Sequence, residues 1–508
     1  MSNQNKGCGC VSLMGGLLLA GSASAGYFYL RGDLPWQNFD LYSATQVIPQ
    51  ETVLIAHVST EEKLWSQLSN MGNPEAQAVI KRSLNLPETE QIRSWLGGVT
   101  FALVSLNNGE TEILIVAGIK DKIKAWEYQQ KLSKLEELEY EKVKIYQVNT
   151  EDYGQVYFAI LDNYLVGGPK AEVVKRAIDS YQEGLSFQDR EGLKASLSEV
   201  KLKNVLAQVY IHDLVDWRQT GENLSSDLEK IGSFNGAIGL NDQGLHLQSF
   251  VKHEPQSVTQ LPSPPDKKIL ASLPADTWFL IHGNNLSYGW QNVVAQAQTF
   301  PEAQQAVDLI RDSFAQFSID VDREVFGWMD QDYAIALTTT NKGFQNFNIG
   351  GIILIQMSDP QTAQTSLDKF STLAQDTGFI SLKETEINRK KITQWNSFNQ
   401  PLVSHSWIDK NSLALTIGLP FQTVTEIKPA HSLLQNETYK QRVATLPDSG
   451  FGYFYLDMQP VIAQLDSYNT SVDADTRAIL TSIEGMVGTT SGDKTSTKSD
   501  LIIFISQK

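Results

Sequence analysis

The feature that most constrains this chain is an internal repeat. Pro49, Thr52, His57 and Trp65 recur with the same spacing as Pro274, Thr277, His282 and Trp290, 225 positions further on. Histidine and tryptophan are scarce, with 7 and 10 among 508 residues, so their joint recurrence points to a duplicated unit. Pro74-Glu75-Ala76-Gln77 returns as Pro301-Glu302-Ala303-Gln304, Trp95 as Trp328, Ala102-Leu103 as Ala336-Leu337, Asp162 as Asp409 and Tyr210 as Tyr455. The apolar run from Ile113 to Ile119, closed by Asp121, matches Ile352 to Met357, closed by Asp359. The offset drifts in small steps, as loop insertions produce. Two tandem homologous copies are therefore expected, at residues 46–254 and 269–508. Between them, residues 255–268 carry Pro255, Pro262, Pro264 and Pro265 and read as a stiff linker.

Each copy alternates strand and helix signals. Val53 to Val58 is a short, largely apolar run of the kind that forms a buried strand. Pro74 suits the first turn of a helix, where a missing N–H costs nothing. Gly98 to Leu106 and Thr111 to Ile119 form a hairpin about Asn107-Asn108-Gly109, residues that accept positive φ. Asp121 caps a helix expected to run to about Glu137. Val143–Val148, Val156–Leu161, Tyr164–Gly167, Val205–Ile211, Gly236–Leu240 and Leu245–Val251 read as strands, with a tight turn at Asp162-Asn163 and a helix over Pro169–Tyr181. Gly485 to Ser506 closes the second copy in the same way. Hairpins with separate helices place the fold in the α+β class, a mainly antiparallel sheet packed with helices in each copy.

Residues 11–30 hold no charged side chain. Twenty helical residues span about 30 Å, the thickness of a bilayer's hydrocarbon core. A transmembrane anchor is expected there, with residues 1–10 cytoplasmic because Lys6 precedes the run, and with residues 31–45 as a tether to an exported body. Ala23-Ser24-Ala25 offers the competing reading, a signal segment cleaved after Ala25. Gly16, Ala20 and Ser24 share one helical stripe that permits close helix packing in lipid. Cys8 and Cys10, the only cysteines, precede the run, so the exported body has no disulfides. The whole chain's sum of 41 Lys+Arg against 58 Asp+Glu gives a net charge of −17, which argues against a general nucleic-acid binder.

Tyr27-Phe28-Tyr29-Leu30-Arg31-Gly32, Val47-Ile48-Pro49, Asn73-Pro74-Glu75-Ala76-Gln77 and Asp162-Asn163-Tyr164-Leu165-Val166 together resemble a cyanobacterial family of single-anchor proteins carrying a domain of unknown function. The resemblance covers most of the chain. It implies a thylakoid-lumen or periplasmic setting and supplies no catalytic residues to transfer.

No nucleophile elbow, phosphate loop, dinucleotide fingerprint or zinc-protease motif is present in the sequence. An enzyme is not expected, nor a cofactor or a metal. His57 and His282 are the leading site candidates because they recur; they suit a pair of acid sensors titrating near pH 6.5, or equally a buried strand histidine inherited by duplication. Trp65 and Trp290 suit either partner contacts or helix packing against the core. Asp320-Val321-Asp322-Arg323-Glu324 lacks the glycine of a calcium loop and reads as a solvated helix start. The function expected is a membrane-anchored extracytoplasmic scaffold that binds or assembles membrane-protein complexes. The alternatives are a lipid or apolar small-molecule carrier with a cavity in each repeat, and an enzyme with dispersed catalytic residues.

Overall fold

A computed structural model describes residues 39–84, 95–106, 110–131, 136–150, 154–212, 231–254, 261–297, 301–340, 348–397, 400–425, 431–448, 450–467 and 472–506. The anchor run 11–30 with its Gly16, Ala20 and Ser24 stripe, Cys8 and Cys10, and the Asn107-Asn108-Gly109 turn lie outside the described residues. Among the described residues, no helix is long and apolar enough to cross a membrane.

The chain divides into two compact units. Unit 1 comprises Met1–Ser69, Lys81–Gly221 and Asn235–Ala237; unit 2 comprises Asn70–Ile80, Glu222–Phe234 and Ile238–Lys508. These boundaries depart from 46–254 and 269–508. Residues 70–80 go with unit 2 because the Gly72 N–H donates to the Ser506 carbonyl at 2.9 Å and the Asn73 N–H to Ser482 Oγ at 3.0 Å.

In unit 1 the strands are β1 (Thr52–Val58), β2 (Leu96–Ser105), β3 (Thr111–Ile119), β4 (Glu136–Tyr140), β5 (Val143–Thr150), β6 (Gly154–Leu161), β7 (Tyr164–Gly168) and β8 (Val205–Ile211). They pair antiparallel in the order β4-β5-β6-β7-β3-β2-β1-β8. A hairpin of β9 (Ile231–Asn241) and β10 (Gly244–His253) follows.

Unit 2 continues with β11 (Thr277–Asn284), β12 (Asp332–Thr339), β13 (Ile349–Gln356), β14 (Ser381–Ile387), β15 (Lys390–Ser397), β16 (Gln400–Trp407), β17 (Ser412–Ile417), β18 (Gly452–Asp457), β19 (Ile483–Gly492) and β20 (Ser496–Ile505). Their order is β14-β15-β16-β17-β13-β12-β11-β18-β19-β20, with β10 added beside β20. The fold is α+β with a mainly antiparallel sheet.

Alternation along the strands fixes the core face of unit 1. Ile55, Ala102, Val104, Leu114 and Val116 are buried, each flanked in sequence by less buried neighbours on β1, β2 and β3. The helix Ala171–Glu183 covers that face with Val173, Val174, Ala177 and Ile178, one apolar stripe at helical spacing. Gly184 ends this helix in the left-handed conformation at φ 69°. The core of unit 2 gathers Leu280, Ala334, Ala336, Ile352, Leu354 and Tyr455 in the matching places.

Two sequence expectations change. The helix after Asp121 is Lys122–Lys131, and Glu136–Tyr140 is a strand. Glu141 and Lys142, at φ 46° and 65°, turn that strand straight into β5, which a helix reaching Glu137 could not do. The end of the tether is core: Leu41, Ala44 and Thr45 are buried, and Asp40 caps a short helix over Leu41–Ala44. The stretch Asp320–Glu324 is the exposed helix start expected, with Asp320 capping Val321–Phe326; Asp322 accepts from Trp290 and Arg311, and Glu324 from Lys369.

Candidate functional site

His57 and His282 occupy the same ladder position. His57 on β1 faces Thr100 and Gln208; His282 on β11 faces Ala334 and Tyr453. Both rings turn to the core face and are buried. His57 Nδ1 lies 2.8 Å from Thr100 Oγ1. Its ring needs Gly98, where an added Cβ would come within 2.7 Å of His57 Cε1. Neither ring nitrogen of His282 meets a hydrogen-bond partner among the described residues; the ring stacks on Tyr453 at 6.3 Å.

Burial in low dielectric disfavours the imidazolium, so both pKa values move down. Burial lowers His57 to about 4 against the pull of Asp40. It lowers His282 to about 4 against Asp332 and the Asp266 main chain. His405 on β16, which the sequence did not single out, is also buried and lowered to about 4, with Asp368 opposing. These are neutral packing groups in the ordinary physiological range, well below the titration near 6.5 that suits an acid sensor. Among the described residues, no group of three His, Cys, Asp or Glu side chains could hold a metal ion.

The tryptophans pack inward. Trp290 is buried, stacks on Phe326 at 4.4 Å and donates its indole N–H to Asp322 at 2.7 Å. Trp65 is half-buried and donates to the Ser59 carbonyl at 2.6 Å. A polar partner at the indole N–H is the usual condition for holding such a ring inside.

The surface that stands out is the other face of the unit 1 sheet. Phe101 on β2 lies opposite Ile115 on β3, and Leu103 opposite Ile113. Phe101, Ile113 and Ile115 are 42%, 50% and 36% exposed. Ile160 on β6 is open too, and the helix Lys122–Lys131 exposes Trp126 at 60%.

In unit 2 the helix Pro360–Asp376 places Ala363 and Leu367 in one cluster with Ile353 and Leu415. In unit 1 the described helix Lys122–Lys131 contributes Ala125 to a smaller cluster with Ala117 and Leu165, while Ile115 is exposed.

A family description of proteins of unknown function, DUF3352, matches residues 12–506. The chain belongs to the DUF3352 family. No curated protein matches this DUF3352 chain. Among solved structures, crystal form IV of TP0453 is 10% identical, with a TM-score of 0.27 over 42% of this chain and 83% of that one. Crystal form III of TP0453 is 10% identical, with a TM-score of 0.26 over 42% of this chain and 82% of that one. Likeness at this level carries no argument about the DUF3352 chain.

Proposed function

We propose that this DUF3352 protein is a membrane-tethered, extracytoplasmic interaction protein that holds or helps assemble membrane-protein complexes. Its body lies in a thylakoid lumen or periplasm of a cyanobacterium, carried there by residues 11–30, and it acts by binding and not by catalysis. The observation that carries this reading is the open face of Phe101, Ile113 and Ile115, three large apolar side chains side by side on two rigid, paired strands. Such patches mark contact surfaces on soluble domains. The occupant is a polypeptide with an apolar surface. A net charge of −17 opposes close approach to an anionic bilayer, which favours protein over lipid.

The body is read as two copies of one unit. The shared strand order supports this, as does an irregularity at the same place, between Thr52 and Leu54 and between Thr277 and Phe279. Isolated bridges also correspond, Pro49 with Ser186 and Pro274 with Ser432. The carrier alternative has less support: beside Gly350 in unit 2 a Cβ would come within 2.2 Å of Leu419, so that place has no room for a ligand.

The test is affinity isolation of the tagged full chain from detergent-solubilised membranes, beside Phe101→Asp and Ile115→Asp. A membrane complex recovered in constant ratio with the wild type and lost with both variants supports the reading. Recovery of the same set by all three proteins, or of lipid alone, overturns it.

A further inference from the structure

Unit 1 contains a socket that its own chain fills. The Phe39 ring lies on Gly97 of β2 and Gly118 of β3, where an added Cβ at either glycine would come within 2.2 Å of a ring carbon. Tyr164 of β7, paired with Gly118, closes the side and meets Phe39 edge-on at 6.0 Å. Phe39 directly precedes Asp40, which caps Leu41–Ala44.

The ladder register locates the same place in unit 2. Counting from His57 with Thr100 and from His282 with Ala334, Gly97 corresponds to Gln331. Counting from Asp121 and Asp359, Gly118 corresponds to Gln356, and its neighbour Tyr164 to Ser412. Asp266 caps Lys267–Ser272 as Asp40 caps its helix, so Pro265 stands in the position of Phe39. Two large rings are thus replaced by proline and serine. There the structure has an open pocket of about 480 Å³, lined by Gln331, Gln356, Met357, Ser358, Asp409, Asn411 and Ser412.

The lining states what fits. The side-chain amides of Gln331, Gln356 and Asn411 meet no partner among the described residues. Asp409 accepts the Asn411 N–H at 2.9 Å and has no cation beside it among the described residues. Asp330, which holds the main chain and hydroxyl of Ser358, adds a second carboxylate near the rim. No lysine or arginine lines the pocket, so an anion is disfavoured; a wholly apolar group would leave the amides unpaired. A guanidinium or ammonium group brings several donors and a positive charge to acceptors that have neither.

We propose that this pocket receives a basic side chain, arginine or lysine, from a segment of a partner polypeptide, as the unit 1 socket receives Phe39. The inference rests on the duplication proposed above and gives the interaction protein a second, polar contact besides the Phe101 face.

The test immobilises the detergent-solubilised full chain and pans a phage-displayed library of random peptides against it. The comparison proteins are Ser412→Tyr, which restores the ring that unit 1 carries, and Asp409→Asn, a near-isosteric change at the surface. Circular dichroism and melting temperature establish that both are folded. The expected result is enrichment of peptides with arginine or lysine at a fixed position, binding at least tenfold more weakly to both variants. Phe101→Asp keeps this binding, so failure of one surface is distinguishable from failure of the other. The proposal is overturned if no peptide is enriched, or if enriched peptides lack a basic residue or bind the variants equally. It is also overturned if sucrose, a neutral polyol probe, raises the melting temperature of the wild type alone while no peptide binds.

Discussion

Replacing His282 by leucine tests whether the buried histidines are held neutral. In the folded chain burial lowers His282 to about 4 from 6.5. The unfolded chain therefore takes up the proton first as pH falls, and stability declines below about pH 6.5. Above that pH both states are neutral and the residue contributes no pH dependence. With 1.36 kcal/mol per pKa unit, the loss from this one side chain is about 2 kcal/mol at pH 5 and about 3 kcal/mol at pH 4. His282→Leu removes the proton site and the two unpartnered ring nitrogens together. Urea unfolding followed by tryptophan fluorescence at pH 7.5, 6, 5 and 4 measures the difference. At pH 7.5 the variant is expected within about 1.5 kcal/mol of the wild type, since the swap nearly conserves volume. By pH 4 its acid loss should be smaller than that of the wild type by about 3 kcal/mol. Equal acid losses in the two proteins would refute a buried, neutral His282.

Other positions give sharper local tests. Gly118→Ala should destabilise unit 1 by about 1–3 kcal/mol through the clash with Phe39, and Phe39→Ala in the same chain should recover part of that loss in a double-mutant cycle by thermal unfolding. Trp290→Phe keeps the stack on Phe326 but gives up the hydrogen bond to Asp322, and should lower stability by about 1 kcal/mol in chemical denaturation. Phe101→Asp, in a strand paired on both sides and only 42% exposed, should lower stability by about 1–2 kcal/mol in chemical denaturation and leave the fold intact by circular dichroism.

The strands were legible where alternation or an apolar run met a turn residue. Val205–Ile211 was read to the residue, and Tyr164–Gly168 to within one. The strand Glu136–Tyr140 was not, since its charges suit a helix surface and its turn at Glu141-Lys142 uses no glycine or asparagine. The repeat drew attention to His57 and His282, but a sequence carries no direct measure of desolvation, and that is what moves their pKa to about 4. Phe39 was placed in a tether because nothing local shows that Gly97 and Gly118, far along the chain, leave room for its ring. The open face was hidden for a related reason: Phe101 and Ile115 are as apolar as core residues, and only the structure shows them 42% and 36% exposed.

The most direct measurement on the interaction surface places a photo-crosslinking amino acid at Ile113, the most exposed of the three face residues, in the full chain within intact membranes. The same probe at Glu75, on an exposed helix start outside the face, is the control. The account predicts a discrete adduct with one membrane-protein subunit from position 113 and none from position 75. The same adducts from both positions, or no adduct from position 113, would contradict it.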